Sequence, residues 1–166
     1  MCIRDRSWVV PDGLGLRPMT QQEYDSYRAR SVQDYAREIA EARGLDDADA
    51  VATAEGEFAE LLPDGLTSPG MHLWTAHVGD EAVGLGWLEL RRKTSAVSAW
   101  VYDVHLDADR RGQGLGRQLM EALHEQAREL GATTIALNVF GHNTAAIRLY
   151  DSLGYAVTAQ QMRRDL

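Results

Sequence analysis

Residues 104–120 read Val-His-Leu-Asp-Ala-Asp-Arg-Arg-Gly-Gln-Gly-Leu-Gly-Arg-Gln-Leu-Met. The stretch passes from a strand end through a glycine-rich turn into a helix, because Leu115, Leu119, Met120, Leu123, Ala127 and Leu130 recur at helical spacing until Gly131 stops them. Residues 133–140, rich in apolar and β-branched side chains, then form another strand. Strand, helix, strand in this order is a βαβ unit, so the two strands are expected to lie parallel, joined by a right-handed crossover.

Upstream, residues 71–78 and 82–91 are extended runs joined by Gly79-Asp80, the signal of a hairpin, and residues 98–106 continue it as an antiparallel meander. Before these, residues 14–19 read as a first strand closing at Pro18. Thr20 and Glu23 form a capping box for a helix over 21–43, with a break expected near Ser31. Asp46 or Asp47 caps a second helix whose face carries Val51, Ala54, Phe58, Leu61 and Leu62, and Pro63-Asp64-Gly65 ends it. Downstream, Asn143 caps a last helix carrying Ala146, Ile147, Tyr150 and Leu153 before Gly154, and residues 155–166 are expected to be extended.

The chain of 166 residues suits one domain. Residues 1–6 resemble the translation of a transposon-end adapter used in preparing sequencing libraries, so the domain is expected to occupy residues 7–166. Cys2 is the single cysteine, and without it disulfides, thiolate metal sites and a cysteine nucleophile all fall away. No apolar run is long enough to cross a bilayer and no signal peptide is visible, which points to a cytoplasmic protein with no membrane partner. A net charge of -8 argues against nucleic acid as a partner, so any phosphate site must be local.

Gly112, Gly114 and Gly116 free the backbone to approach a ligand closely, and successive N–H groups at a helix N-terminus, aided by Arg110, Arg111 and Arg117, suit a diphosphate. A P-loop needs Lys and then Ser or Thr after the last glycine, but Arg117-Gln118 stands there. A dinucleotide fold needs G-x-G-x-x-G and an acidic residue ending the next strand; the spacing here is G-x-G-x-G, and residues 133–140 end without a carboxylate.

The pattern that remains is R-x-x-G-x-G, met by Arg111, Gly114 and Gly116. Together with the downstream run Asn143, Ala146, Leu149-Tyr150 and Leu153-Gly154-Tyr155, it makes the chain resemble the GNAT superfamily of N-acetyltransferases. The resemblance spans nearly the whole domain. It implies an α/β (α+β) fold, a mixed, mostly antiparallel sheet in which one parallel βαβ pair splays to hold CoA, with helices on both faces. It also implies a final strand within residues 155–166.

The resemblance further implies direct transfer of an acetyl group from acetyl-CoA, a co-substrate, to an amine acceptor, with no metal. The backbone of Val104, His105 and Leu106 is expected to hold the pantetheine arm, with the N–H of Val104 facing the oxyanion. Arg111, Gly112, Gln113, Gly114, Leu115, Gly116 and Arg117 are expected to hold the pyrophosphate, and Asn143 and Ala146 to contact the arm. Tyr150 corresponds to the general acid. For the base, Glu89 is placed first and His105 second, with Asp103 sharing the face of His105 by alternation. Residues 155–166 are short for the family's usual hairpin, leaving an acceptor cleft that is open or completed by another subunit, the protein being a monomer or homodimer. A non-catalytic acyl-CoA sensor and a transferase for longer acyl groups are the alternatives.

Overall fold

Pro18 and Thr20 set the first junction of the fold. In the computed structural model, which describes residues 13–166, strand β1 (Leu14–Pro18) ends at the proline and helix α1 (Gln21–Arg43) follows. The Thr20 hydroxyl accepts from the Glu23 N–H and the Glu23 carboxylate accepts from the Thr20 N–H, closing the capping box. Helix α1 runs unbroken through Ser31, contrary to the sequence expectation, because Val32, Ala36 and Ile39 beyond it bury against Ala50 and Ala54 of α2 (Asp47–Leu61). Tertiary burial outweighs the weak helix preference of one serine. The expected domain boundary after residue 6 lies outside the described residues.

Strands β2 (Met71–Val78), β3 (Glu81–Lys93) and β4 (Ala96–Leu106) form the meander, with β1 antiparallel to β2. Helix α3 (Leu115–Glu129) then carries the chain over to β5 (Thr134–Leu137), which is parallel to β4, and α4 (Thr144–Ser152) follows. The five strands stand in the order β1-β2-β3-β4-β5. Helix α3 covers one face through Leu119, Met120 and Leu123, packed on Leu14, Leu16 and Leu88; α1 and α2 cover the other, where Tyr24 and Tyr27 meet Leu73, Leu85 and Trp87.

One irregularity decides what the site can contain. Along β4 the register with β3 passes from Leu88↔Val101 to Trp87↔Asp103, leaving Tyr102 as an extra residue. A bulge of this kind reverses the facing of every residue after it. Ala99 therefore packs on the α3 side, as does Leu88, the partner of Val101, whereas Tyr102 stacks on Trp87 at 4.7 Å on the α1 side and Asp103, the next residue, bonds to Tyr27 of α1. Asp103 and His105 do share one face, as alternation required, but the bulge is what makes it the α1 face.

Two expectations are corrected at the C-terminal end. Strand β5 holds four residues rather than eight, because its pairing ends at Val101↔Leu137, where β4 bulges. Residues 155–166 form no strand; neither alternation of Val157, Ala159, Gln161 and Arg163 nor that of Ala156, Thr158, Gln160 and Met162 supplies an apolar face worth burying, and Val157, Met162 and Leu166 stay exposed.

Candidate active site

Strand β4 continues five residues past its last pair with β5, held on its other side by β3 as far as Gly84↔Leu106. The parallel pair therefore opens into a gap beside residues 102–106. The Asp107 N–H donates to the Val83 carbonyl at 2.9 Å, so alternation along the strand turns the N–H and C=O groups of Val104 and Leu106 away from β3, toward the gap. The Leu106 carbonyl accepts from Arg111 Nε at 3.2 Å.

The glycine turn leads straight from this gap to α3. Gly112 and Gly114 have φ of 75° and 77°, a region that favours glycine, and Gly114 is the N-cap of α3 with no side chain capping it. A Cβ on either glycine would meet nothing within 4 Å, so the turn stands open beside the start of α3. That arrangement fits a pyrophosphate. Of the three arginines expected there, Arg110 pairs with Glu81 and Arg117 bonds to Ser152, while Gln113 Nε2 reaches the Asp109 carbonyl at 3.2 Å.

Helix α4 packs beside the start of α3, where Arg117 bonds to Ser152 and Leu149 lies near Gly116. The Asn143 side chain accepts from the Ala146 N–H at 3.2 Å, as its capping role required. Leu149, Tyr150 and Leu153 pack on the α3 core, and the Tyr155 ring lies 5.5 Å from that of Tyr150, its hydroxyl 2.8 Å from His124 Nε2. Burial raises the Tyr150 pKa, and the negative charge of Asp103 raises it further.

On the α1 side of the gap the polar residues differ sharply in their surroundings. Glu89 lies opposite Trp100, where β4 and β5 are still paired, with Arg91 Nε at 2.9 Å and the Tyr102 hydroxyl donating to it at 3.0 Å. His105 lies farther out, 40% exposed, with Asp107 at 3.9 Å. Asp103 Oδ2 accepts from the Tyr27 hydroxyl at 2.8 Å. Tyr27 is buried between Phe58 and Trp87, edge-on to both, and burial followed by the charge of Asp103 pushes its phenol far above the ordinary range.

A cavity of about 300 Å³ opens between α1 and this end of the sheet, lined by Gln22, Glu23, Tyr27, Arg30, Gly84 and His105 among others. Its Glu23 carboxylate is fully engaged, by Arg17 at 2.6 and 2.9 Å, by the Thr75 hydroxyl at 2.7 Å and by the Thr20 N–H. Those bonds, the Arg17 pair foremost, lower its pKa to about 2. A recess of about 490 Å³ between residues 66–74 and the end of α3 holds none of the residues of the gap. Among the described residues no group of three or more His, Cys, Asp or Glu could hold a metal ion, and no helix is long and apolar enough to cross a membrane.

The Tyr27–Asp103 bond joins residues 76 positions apart, and no sequence signal pairs them.

Comparison with known proteins adds the lineage. Residues 30–155 match the model of the acetyltransferase (GNAT) family. The chain is 33% identical over 153 residues, 91% of its length and 97% of the relative's, to the uncharacterised N-acetyltransferase YdgE of Bacillus subtilis (strain 168). It is 33% identical over 152 residues to YycN of the same organism, likewise an uncharacterised N-acetyltransferase, again covering 91% and 97% of the two chains. The crystal structure of YycN superimposes with a TM-score of 0.81 at 32% identity over 92% of this chain and 98% of that one. With the splayed parallel pair, the glycine turn and these relatives in agreement, the chain belongs to the acetyltransferase (GNAT) family and is an enzyme that transfers acyl groups.

Proposed function

We propose that the enzyme moves an acetyl group from acetyl-CoA directly to a primary amine while both are bound. The observation that carries this reading is the gap between β4 and β5 beside the backbone of Val104 and Leu106. In it, the backbone of Val104 and Leu106 holds the pantetheine arm, with the N–H of Val104 facing the developing oxyanion, while the His105 backbone faces β3 and not, as the sequence suggested, the arm. Arg111, Gly112, Gln113, Gly114, Leu115, Gly116 and Arg117 hold the pyrophosphate, and Asn143 and Ala146 border the arm. Acetyl-CoA supplies the activated acyl group.

The amine enters from the α1 side, through the cavity lined by Tyr27 and His105. A base on that face removes a proton from it, and Tyr150, kept protonated by its burial, serves as general acid toward the departing sulfur. Direct transfer is supported by the cysteine count: Cys2 is the single cysteine and lies outside the residues that match the family. In this reading the enzyme works in the cytoplasm, as a monomer or homodimer, without nucleic acid or metal.

The test is to incubate the protein with acetyl-, propionyl- or succinyl-CoA and a panel of ethanolamine, L-methionine, spermidine and a peptide with a free N-terminal alanine, measuring CoA release beside CoA binding. Amine-stimulated release, fastest with acetyl-CoA, is expected. Binding without stimulated release would instead make the protein a sensor, and faster release from a longer thioester would change the acyl group.

A further inference from the structure

We propose that Asp103 is the general base that deprotonates the acceptor ammonium, and that Tyr27 is the positioning residue that aims it. The proposal rests on the transferase reading above and names the group that reading left open.

Three features single out Asp103 from the other polar residues on this face. The first is position. Asp103 stands two residues past Val101, the last β4 residue paired with β5, and directly beside Val104, whose N–H faces the gap. Glu89 lies where β4 and β5 are still paired, and at about 3.3 Å per residue it is roughly 13 Å along β3 from Leu85, the partner of His105. The second is facing. With regular alternation past Val101, Asp103 would lie on the α3 side with Ala99; the bulge turns it toward α1, the side from which an acceptor can approach. Bulges re-aim side chains beside active sites, at the expense of a ladder bond.

The third is its set of partners. Glu23 and Glu89 each face an arginine within 3 Å, so neither carboxylate is free to draw a cation or a proton. Asp103 has no cationic partner among the described residues; its one hydrogen bond comes from a neutral phenol. Tyr27 fixes Oδ2 in place and leaves Oδ1 for the substrate. The phenol is itself held edge-on by Phe58 and Trp87, so the carboxylate is oriented by a rigid aromatic group. His105, more exposed and without an orienting hydrogen bond, lines the way in.

The proton balance closes with these groups. Asp103 takes one proton from R–NH₃⁺, freeing the lone pair that forms the N–C bond to the acetyl carbonyl carbon. As the C–S bond breaks, the sulfur leaves with its electron pair and receives the hydroxyl proton of Tyr150. The nitrogen then gives up a second proton, which restores Tyr150, and Asp103 releases its proton to water. One proton is set free for each ammonium acetylated. The negative charge of Asp103 also hinders ionisation of Tyr150 and so keeps the acid charged with its proton until the sulfur departs.

Asp103→Asn, Asp103→Glu and Tyr27→Phe test this, each checked for wild-type circular dichroism. With the amine of the panel that the wild type uses best, Asp103→Asn is expected to lower kcat by about 100-fold or more while the acetyl-CoA KM changes less than about threefold, the size expected of a lost general base. Methoxyamine, already neutral at pH 7, needs no base, so with it the loss is expected to shrink to about tenfold or less. Asp103→Glu should recover part of the rate, and Tyr27→Phe, which keeps the ring in the core, should cost about tenfold in kcat alone. Basal hydrolysis of acetyl-CoA, with water in place of the amine, should fall in parallel and needs no known acceptor. A wild type that releases CoA, with an Asp103→Asn variant within about threefold of it, or with equal losses for methoxyamine and the ordinary amine, would overturn the base and leave the transferase standing. A wild type that binds acetyl-CoA yet releases none by either route would overturn the transferase reading, and the base with it.

Discussion

The proposed cofactor wall and the proposed acceptor wall are built on opposite principles. On the cofactor wall, residues 104–117 supply strand end, turn and helix start from one continuous stretch, and the groups offered to the ligand are backbone N–H and C=O. On the acceptor wall, α1, β3 and β4 each contribute side chains from remote parts of the chain, and the arrangement depends on one extra residue in β4. A wall made of backbone and glycine tolerates side-chain change and breaks on backbone change. A wall made of converging side chains does the reverse.

The comparison can be broken at several points, and the largest effect belongs to Tyr150, the proposed proton donor. Tyr150→Phe removes the proton donor but keeps the ring that packs on α3, so kcat should fall by about 10²- to 10⁴-fold with acetyl-CoA binding unchanged. Stopped-time assays of CoA release beside calorimetric titration check it, and equal losses in turnover and binding would remove the assignment. Gly84→Ala is the backbone counterpart on the acceptor wall. A Cβ there would sit 2.2 Å from the His105 carbonyl oxygen, so β3 and β4 must move apart at a cost of about 1–3 kcal/mol, read as a lowered midpoint in urea.

The smallest effect is a pH dependence of stability. The Arg17 pair holds the Glu23 carboxyl down to about 2 in the folded protein against its ordinary 4.5, and its stabilising pair with Arg17 and Thr75 is present above the higher figure. It is lost progressively as pH falls from 4.5 toward 2, the sign expected of a depressed carboxylate. Urea midpoints should therefore decline over that interval in the wild type and decline less in Glu23→Gln, which starts less stable at neutral pH.

Legibility in the sequence followed the same division. The capping box at Thr20, the hairpin at Gly79-Asp80, the glycine turn and the Asn143 cap are local patterns, each satisfied by residues within a few positions of one another. They were readable, and with them the turn and caps that open α3 and α4. The Tyr102 bulge is a property of register between two strands, and the Tyr27–Asp103 bond of the packing of a helix on a sheet; neither leaves a local mark. The same limit explains why Ser31 suggested a break that burial of Val32 and Ile39 overrides. It explains too why residues 155–166 suggested a strand that has no face to bury.

The central claim, that cofactor anchoring and proton removal reside on separate walls, is tested most directly by titrating acetyl-CoA calorimetrically into Gly114→Val and Asp103→Asn. Valine at a φ of 77° strains the N-cap of α3, so Gly114→Val is expected to weaken binding by about 10- to 100-fold, while Asp103→Asn binds as the wild type does. Wild-type affinity in Gly114→Val, or a comparable loss in Asp103→Asn, would contradict it.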